Sequence, residues 1–98
     1  MPAKRERLTD PEVKAALAGL EGWRRDGDRI VRDFEFADFV AALGFIVQVG
    51  AMAEEADHHP ELTNVYNKVT IALSTHDAGG ITSMDTALAA EIDGRVPA

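Results

Sequence analysis

The stretch ELTNVYNKVTIALST, residues 61–75, predicts the fold more directly than any other part of the chain. Three apolar residues alternate there with small or polar ones: Val69, Ile71 and Leu73. This two-residue period is typical of a strand that buries one face. We therefore predict two strands, at residues 61–66 and 68–75, that meet in a turn at Asn67.

A long apolar stretch, residues 37–58, precedes this hairpin and predicts a helix capped by Asp38. Four apolar residues mark one of its faces at helical spacing: Phe39, Leu43, Ile46 and Val47. Phe45 and Val49 lie off that stripe, where we expect them to be available to a partner subunit. Pro60 disfavours helical angles in the residue before it, so the helix should end at residue 58 or 59.

The remaining elements are two helices and another hairpin. Both helices begin at a capping box, in which a threonine stands three residues before an acid: Thr9 with Glu12, and Thr82 with Asp85. An Asp-Gly turn signal separates strands predicted at residues 23–26 and 29–36. The order α-β-β-α-β-β-α predicts one α+β domain over residues 1–98. Its four-stranded antiparallel sheet should carry the helices on one face.

Composition and charge exclude several function classes. The formal net charge of −7 disfavours direct nucleic-acid binding, which needs a basic face. The chain has no cysteine, which excludes a thiol nucleophile and thiolate metal sites. The charged residues 1–7 lack the apolar stretch typical of a secretory signal, and we expect no apolar run that approaches the roughly 18 residues needed to span a membrane. We therefore expect a cytoplasmic protein without membrane contact.

All three histidines lie around the 61–75 hairpin. His58 and His59 precede Pro60, and His76 would share the polar side of its strand with Ser74 if the pleat persists. Because histidine titrates near neutral pH, this grouping indicates proton transfer or a metal site. Zinc is the competing hypothesis, but the chain has no His-Glu-x-x-His motif, and adjacent histidines rarely chelate one ion.

A carboxylate beside an imidazole fixes its tautomer and favours the protonated ring. Glu54 stands four residues before His58, so the two are neighbours on one helical face and Glu54 is the first candidate. Asp57 and Asp85 are further candidates, although Asp85 is better explained as a helix cap. Adjacent helical residues diverge by about 100°, so His58 and His59 should have different partners.

Five elements of the sequence match a known pattern of fixed spacings: Glu54, His58-His59-Pro60, Tyr66, His76 and Asp85. Gly22-Trp23 and residues 34–45 fit the earlier segments of the same pattern, which then covers nearly the whole chain. In these residues the sequence resembles the pterin-4a-carbinolamine dehydratase family.

The resemblance implies a hydro-lyase that converts 4a-hydroxytetrahydropterin to quinonoid dihydropterin and water, in tetrahydrobiopterin recycling, without a metal or other cofactor. It implies His58 and His76 as the acid–base pair and His59 as a pterin-binding residue. Glu54 would orient His58 or contact the ring. The resemblance also implies supporting residues around the pterin: Trp23, Asp57, Asn64, Tyr66, Ser74, Thr75 and Asp85. Taken alone, Trp23 is more typical of a core aromatic.

Family resemblance also implies a homodimer or homotetramer. Two alternatives keep the same fold. One is an interaction module, such as a dimerisation cofactor, with no dehydratase activity. The other is an enzyme or binding protein for a different pterin, such as a molybdenum-cofactor precursor.

Overall fold

The computed structural model describes residues 6–96 and confirms the predicted order of elements. The helices are α1 (Asp10–Ala18), α2 (Phe39–Ala56) and α3 (Ser83–Asp93), and a short 3₁₀ helix spans His76–Ala78. The strands are β1 (Arg24–Asp26), β2 (Arg29–Glu35), β3 (Glu61–Val65) and β4 (Lys68–Leu73).

The helices begin where their capping residues predict. The Thr9 hydroxyl accepts a hydrogen bond from the Glu12 backbone N–H, and the Glu12 carboxylate accepts one from the Thr9 N–H. Asp38 accepts from the Ala41 N–H at 2.8 Å and caps α2. These bonds satisfy backbone donors that have no partner within the first turn of a helix.

The two hairpins join into one antiparallel sheet of order β1-β2-β4-β3. The central strands, β2 and β4, pair from Ile30 opposite Leu73 to Glu35 opposite Lys68. The outer strands β1 and β3 each pair with their own hairpin partner. The sheet is therefore held together by contact between the two hairpins, and the predicted α+β fold is confirmed.

One face of the sheet packs into the core, and the other carries polar side chains beside the buried Val31 and Ala72. Ile30 and Phe34 of β2 lie in a cluster to which all three helices contribute buried residues. Asp33, on the opposite face, is exposed, accepts a hydrogen bond from Thr70 Oγ1 at 2.8 Å and pairs with Arg24. The alternation predicted from the sequence thus separates the core face of the sheet from a second face of mixed polarity.

Helix α2 buries a different face from the predicted one. Phe45 and Val49 are buried, and the Phe45 ring lies 5.0 Å from the Phe34 ring, centroid to centroid. The expectation that these two residues face a partner is wrong. The predicted stripe is instead largely solvent-facing, with three members exposed: Phe39, Leu43 and Val47. Since α2 is apolar on most sides, spacing alone does not select the face that meets the sheet.

Among the described residues, α2 is also long and apolar enough to cross a membrane, by length and composition only. This differs from the expectation that no apolar run has that length. A core helix of a globular protein passes the same test, and α2 places Phe45, Val49 and Met52 in the core.

Candidate active site

The site begins where α2 ends and the chain reverses direction. The helix ends at Ala56, before the predicted end at residue 58 or 59, and Asp57 takes the left-handed conformation with φ 51°. The His58 backbone N–H then bonds to the Ala53 carbonyl at 3.0 Å. This is the Schellman arrangement of a helix C-terminus, with aspartate where glycine is most common. As a result, His58 lies inside the protein and His59 outside.

His58 is 7 % exposed and pairs with the fully buried Asp85. The distance from His58 Nε2 to Asp85 Oδ1 is 2.5 Å. The structure therefore corrects the expectation that Glu54 orients His58. Asp85 was expected mainly to cap α3. Its side chain completes the capping box and also pairs with His58.

Two threonines hold the other oxygen of Asp85. Oδ2 accepts hydrogen bonds from the Thr75 hydroxyl and from the Thr82 backbone N–H, each at 2.9 Å. The two threonine hydroxyls are 2.7 Å apart. We call His58, Thr75, Thr82 and Asp85 the buried network. All four residues are buried, so every polar atom must find its partner inside the protein.

The partners in the buried network determine which atom donates the hydrogen in each bond. The Met84 N–H donates to Thr82 Oγ1, and the Thr75 hydroxyl donates to Asp85, so the Thr82 hydroxyl must donate to Thr75 Oγ1. An ionised carboxylate only accepts hydrogen bonds. We therefore assign the hydrogen on His58 to Nε2, which leaves Nδ1 as the nitrogen that can exchange a proton with a ligand.

His59 forms a second, exposed pair with Glu54. Its Nε2 contacts Glu54 Oε1, and the side chains are 59 % and 77 % exposed. The two histidines therefore have different partners, as predicted, but Glu54 pairs with His59 and not with His58. We call Glu54 and His59 the surface pair.

His76 lies exposed at the start of the 3₁₀ helix, directly after Thr75. We expected His76 to share the polar side of β4 if the pleat persisted, but the strand ends at Leu73, so this condition is not met. Thr75 instead forms an isolated bridge with Gly80. Through its neighbour Thr75, His76 is adjacent in the chain to the buried network.

Two other predicted site residues have structural partners. Trp23 is buried, packs edge-on against Phe34 and donates its Nε1 hydrogen to Asp93, with none of these contacts involving a histidine. This agrees with the core-aromatic alternative. The Ser74 hydroxyl donates to the Asp28 carbonyl at 2.7 Å and ties the end of β4 to the first hairpin.

Asn64 and Tyr66 lie at the far end of the 61–73 hairpin. The Asn64 amide donates to the carbonyls of Tyr66 and Lys68, and Tyr66 takes a positive φ of 53° in the turn. Six residues of extended chain, at about 3.3 Å each, place Tyr66 about 20 Å from Pro60. Within one chain, the expectation that these residues line the histidine site is therefore not met.

A small pocket adjoins the buried network. It has a volume of about 140 Å³ and lies between the end of α2 and one face of α3, with His58 in its wall. A larger depression of about 450 Å³ between residues 7–10 and the first hairpin contains none of the predicted site residues.

Within residues 6–96, no group of three His, Asp or Glu side chains is arranged to hold a metal ion.

Thr82 is the member of the buried network that was not predicted as a site residue. The signal was present in the sequence, because its capping box with Asp85 places the two side chains together. What the sequence did not reveal is that the same carboxylate reaches back to His58, 27 residues earlier.

The fold and site together define a small α+β protein whose carboxylate-held histidine is suited to proton transfer. The sequence model described as "Pterin 4 alpha carbinolamine dehydratase" matches residues 6–95. The chain belongs to this family, which confirms the resemblance noted from its histidine motif.

Similar proteins cover almost the same length. A protein from Natronomonas pharaonis is 50 % identical over 88 residues, which cover 90 % of this chain and 94 % of that protein. One from Rhodopseudomonas palustris is 51 % identical over 90 residues, covering 90 % and 89 %. Both are named "Putative pterin-4-alpha-carbinolamine dehydratase".

Two solved structures share the fold. A transcriptional coactivator/pterin dehydratase from Brucella melitensis has a TM-score of 0.88 and 41 % identity, covering 91 % of this chain and 97 % of that one. A pterin dehydratase-like protein described as a RuBisCO assembly factor in the alpha-carboxysome has a TM-score of 0.65 and 23 % identity, covering 76 % and 88 %. At that identity the second likeness concerns the fold alone.

Proposed function

We propose that this protein dehydrates 4a-hydroxytetrahydropterin to quinonoid dihydropterin and water. The C4a–O bond breaks, the hydroxyl leaves as water with a proton from an acid, and a base removes the proton on N5. The observation that supports this best is the buried network, in which Asp85 holds His58 by Nε2. Family membership supplies the substrate class.

In this proposal His58 works through Nδ1. Asp85 holds Nε2, so Nδ1 is the ring nitrogen left to meet a ligand. A neutral ring accepts a proton there and an imidazolium donates one, and Asp85 stabilises the charged form. Acid–base groups of this kind typically contribute about 10²–10⁴-fold.

The other histidines take the remaining roles in the proposal. His76 serves as the second acid–base group, since it follows Thr75 of the buried network and is open to a ligand. His59, oriented by Glu54, binds the pterin from the surface side. Asp57 contributes through its left-handed turn, which directs the two adjacent histidines to different partners.

A stopped-flow assay of freshly generated 4a-hydroxytetrahydropterin tests the proposal. We expect acceleration that persists with EDTA and falls sharply in His58→Ala and His76→Ala, with circular dichroism showing an unchanged fold. Wild-type rates in both variants would refute the assignment of these histidines. No acceleration by folded wild-type protein would refute the activity itself.

We also propose a cytoplasmic homo-oligomer built from one domain. The outer face of α2 supports the oligomer, because Val40 and Val47 are 75 % and 71 % exposed and Leu43 lies between them. Burying such a face against a second copy removes apolar surface from water. Light scattering after size-exclusion chromatography should give a dimer or tetramer, and Val47→Asp should shift the mass toward the monomer. A wild-type monomer at micromolar concentration contradicts the proposal.

A further inference from the structure

The chain segment that carries His76 is a loop closed at its base. Thr75 and Gly80 form an isolated bridge, in which the Thr75 N–H donates to the Gly80 carbonyl at 2.9 Å and the Gly80 N–H donates back at 3.4 Å. We call residues 75–81 the His76 loop. Because His76 is exposed, packing of its own ring contributes little to its position. That position depends on how the loop itself is held.

On its inner side the His76 loop is held by the buried network. The Thr75 hydroxyl donates to Asp85 Oδ2, and Asp85 Oδ1 pairs with His58. The loop that carries one of the proposed acid–base groups is thus bonded to the carboxylate that holds the other. This restraint acts at the first residue of the loop, so the end of the loop depends on further contacts.

On its outer side the His76 loop is crossed by two residues that precede α1. The Leu8 N–H donates to the Ile81 carbonyl at 2.8 Å, and the Leu8 side chain packs against the core. The Arg7 side chain lies across Gly80, where a Cβ atom would be only 2.7 Å from Arg7 Cδ and 3.2 Å from Cγ. Any larger residue at position 80 would displace Arg7, so this close approach requires glycine. We call Arg7 and Leu8 the strap.

From these contacts we infer that Arg7 and Leu8 are positioning residues for His76. In the proposed dehydratase function, on which this rests, His76 is the second acid–base group. One bond at the base of the loop is longer than the usual range of about 2.7–3.2 Å, and exposed loops with few buried contacts open at little cost in free energy. A misplacement of about 1 Å slows catalysis by about 100-fold. The strap therefore acts on the rate of proton transfer by keeping the loop closed.

Amide hydrogen exchange tests whether the strap holds the loop, independently of catalysis. Arg7→Ala removes the side chain that crosses Gly80, and Leu8→Ala removes the packing that anchors the strap to the core. We expect either variant to speed exchange of the Thr75 and Gly80 N–H groups several-fold in NMR measurements. Exchange at Ile71, in the central strand β4, should change much less, because the effect is local.

Three further variants sharpen the exchange experiment. Arg7→Lys keeps the methylene groups that lie over Gly80, so exchange should stay close to that of the wild type. Gly80→Ala displaces the Arg7 side chain, so it should reproduce the faster Thr75 exchange of Arg7→Ala, and the double variant should exchange no faster than either single variant. Lys14→Ala removes an exposed cation from α1 and is the matched control, with wild-type exchange expected.

Steady-state dehydration kinetics of the same variants test the positioning role. Because His76 is assigned to proton transfer and His59 to binding, Arg7→Ala and Leu8→Ala should lower kcat several-fold and leave KM nearly unchanged. Arg7→Lys should recover most of the loss in kcat.

The two measurements separate this inference from the proposed function. Unchanged exchange in both Arg7→Ala and Leu8→Ala would overturn the inference, even in an active dehydratase. Faster exchange with wild-type kcat would also overturn it, provided that His76→Ala lowers kcat. If the wild-type protein does not dehydrate the 4a-hydroxypterin, the proposed function fails, and the exchange rates alone decide whether the strap holds the loop.

Discussion

The buried network and the surface pair place two neighbouring histidines in opposite environments. His58 is 7 % exposed and held by a carboxylate that is itself fully buried, whereas the His59 side chain is 59 % exposed beside an exposed glutamate. Both histidines follow Asp57, whose left-handed conformation ends α2. The same chemical pair, histidine with carboxylate, is therefore strongly constrained in one place and weakly in the other.

Asp85→Asn should produce the largest effect. The substitution replaces one oxygen by an NH₂ group, so either the Thr82 N–H or the His58 Nε2–H then faces a donor. We expect dehydration to slow by about 100-fold or more and the free energy of unfolding to fall by about 3 kcal/mol. Turnover and urea denaturation measure the two quantities. Glu55→Gln, an exposed carboxylate on α2, is the control, and a loss no greater than this control contradicts the buried network.

Thr82→Val should have the next largest effect. Valine keeps the shape but removes the hydroxyl that accepts from Met84 and donates to Thr75. We expect a loss of about 1–2 kcal/mol in unfolding free energy and several-fold slower turnover. Thr82→Ser retains the hydroxyl and should recover most of both losses. Equal behaviour of the serine and valine variants would show that the hydroxyl does not support Asp85.

Glu54→Gln tests the surface pair. Because both side chains are largely exposed, the free energy of unfolding should change by less than about 1 kcal/mol, and less at high salt. Any effect on catalysis should appear in KM, because His59 is assigned to binding. Denaturation at low and high salt, with steady-state kinetics, measures this. A stability loss as large as that of Asp85→Asn would remove the distinction between the two pairs.

Asp33→Asn should give the smallest effect and extends the comparison to a surface carboxylate. The Thr70 hydroxyl, followed by Arg24, lowers the pKa of Asp33. In acid the unfolded chain therefore takes up the proton first, so stability falls as pH drops below the unfolded value of about 3.9. The asparagine variant should flatten this part of the stability profile slightly, as measured by thermal unfolding between pH 5 and pH 2. An identical profile would show that the contact contributes nothing.

Local patterns predicted most of the fold. Capping boxes at Thr9 and Thr82 and the strand period of residues 68–73 depend on residues within one turn or one strand, so the sequence displays them directly. The face of α2 was not predicted, because Phe45 and Val47 are both apolar and only contact with the sheet distinguishes them. Spacing within a helix indicates which residues share a face, but tertiary packing selects the face that is buried.

The candidate site shows the same limit. Helical spacing favoured Glu54 as the partner of His58, but the helix ends at Ala56 and the spacing rule no longer applies there. The partner that the structure shows is Asp85, which is distant in sequence. Its role in the capping box of α3 already explains an acidic residue at that position. Nothing local indicates that one carboxylate performs both tasks.

The central claim is that the histidine held by Asp85 performs the chemistry while its neighbour binds the substrate. Steady-state dehydration kinetics of His58→Ala and His59→Ala, side by side, test it most directly. We predict that His58→Ala lowers kcat by about 100-fold or more, whereas His59→Ala mainly raises KM. A His58→Ala variant with wild-type kcat, or a larger loss of kcat in His59→Ala, would contradict the account.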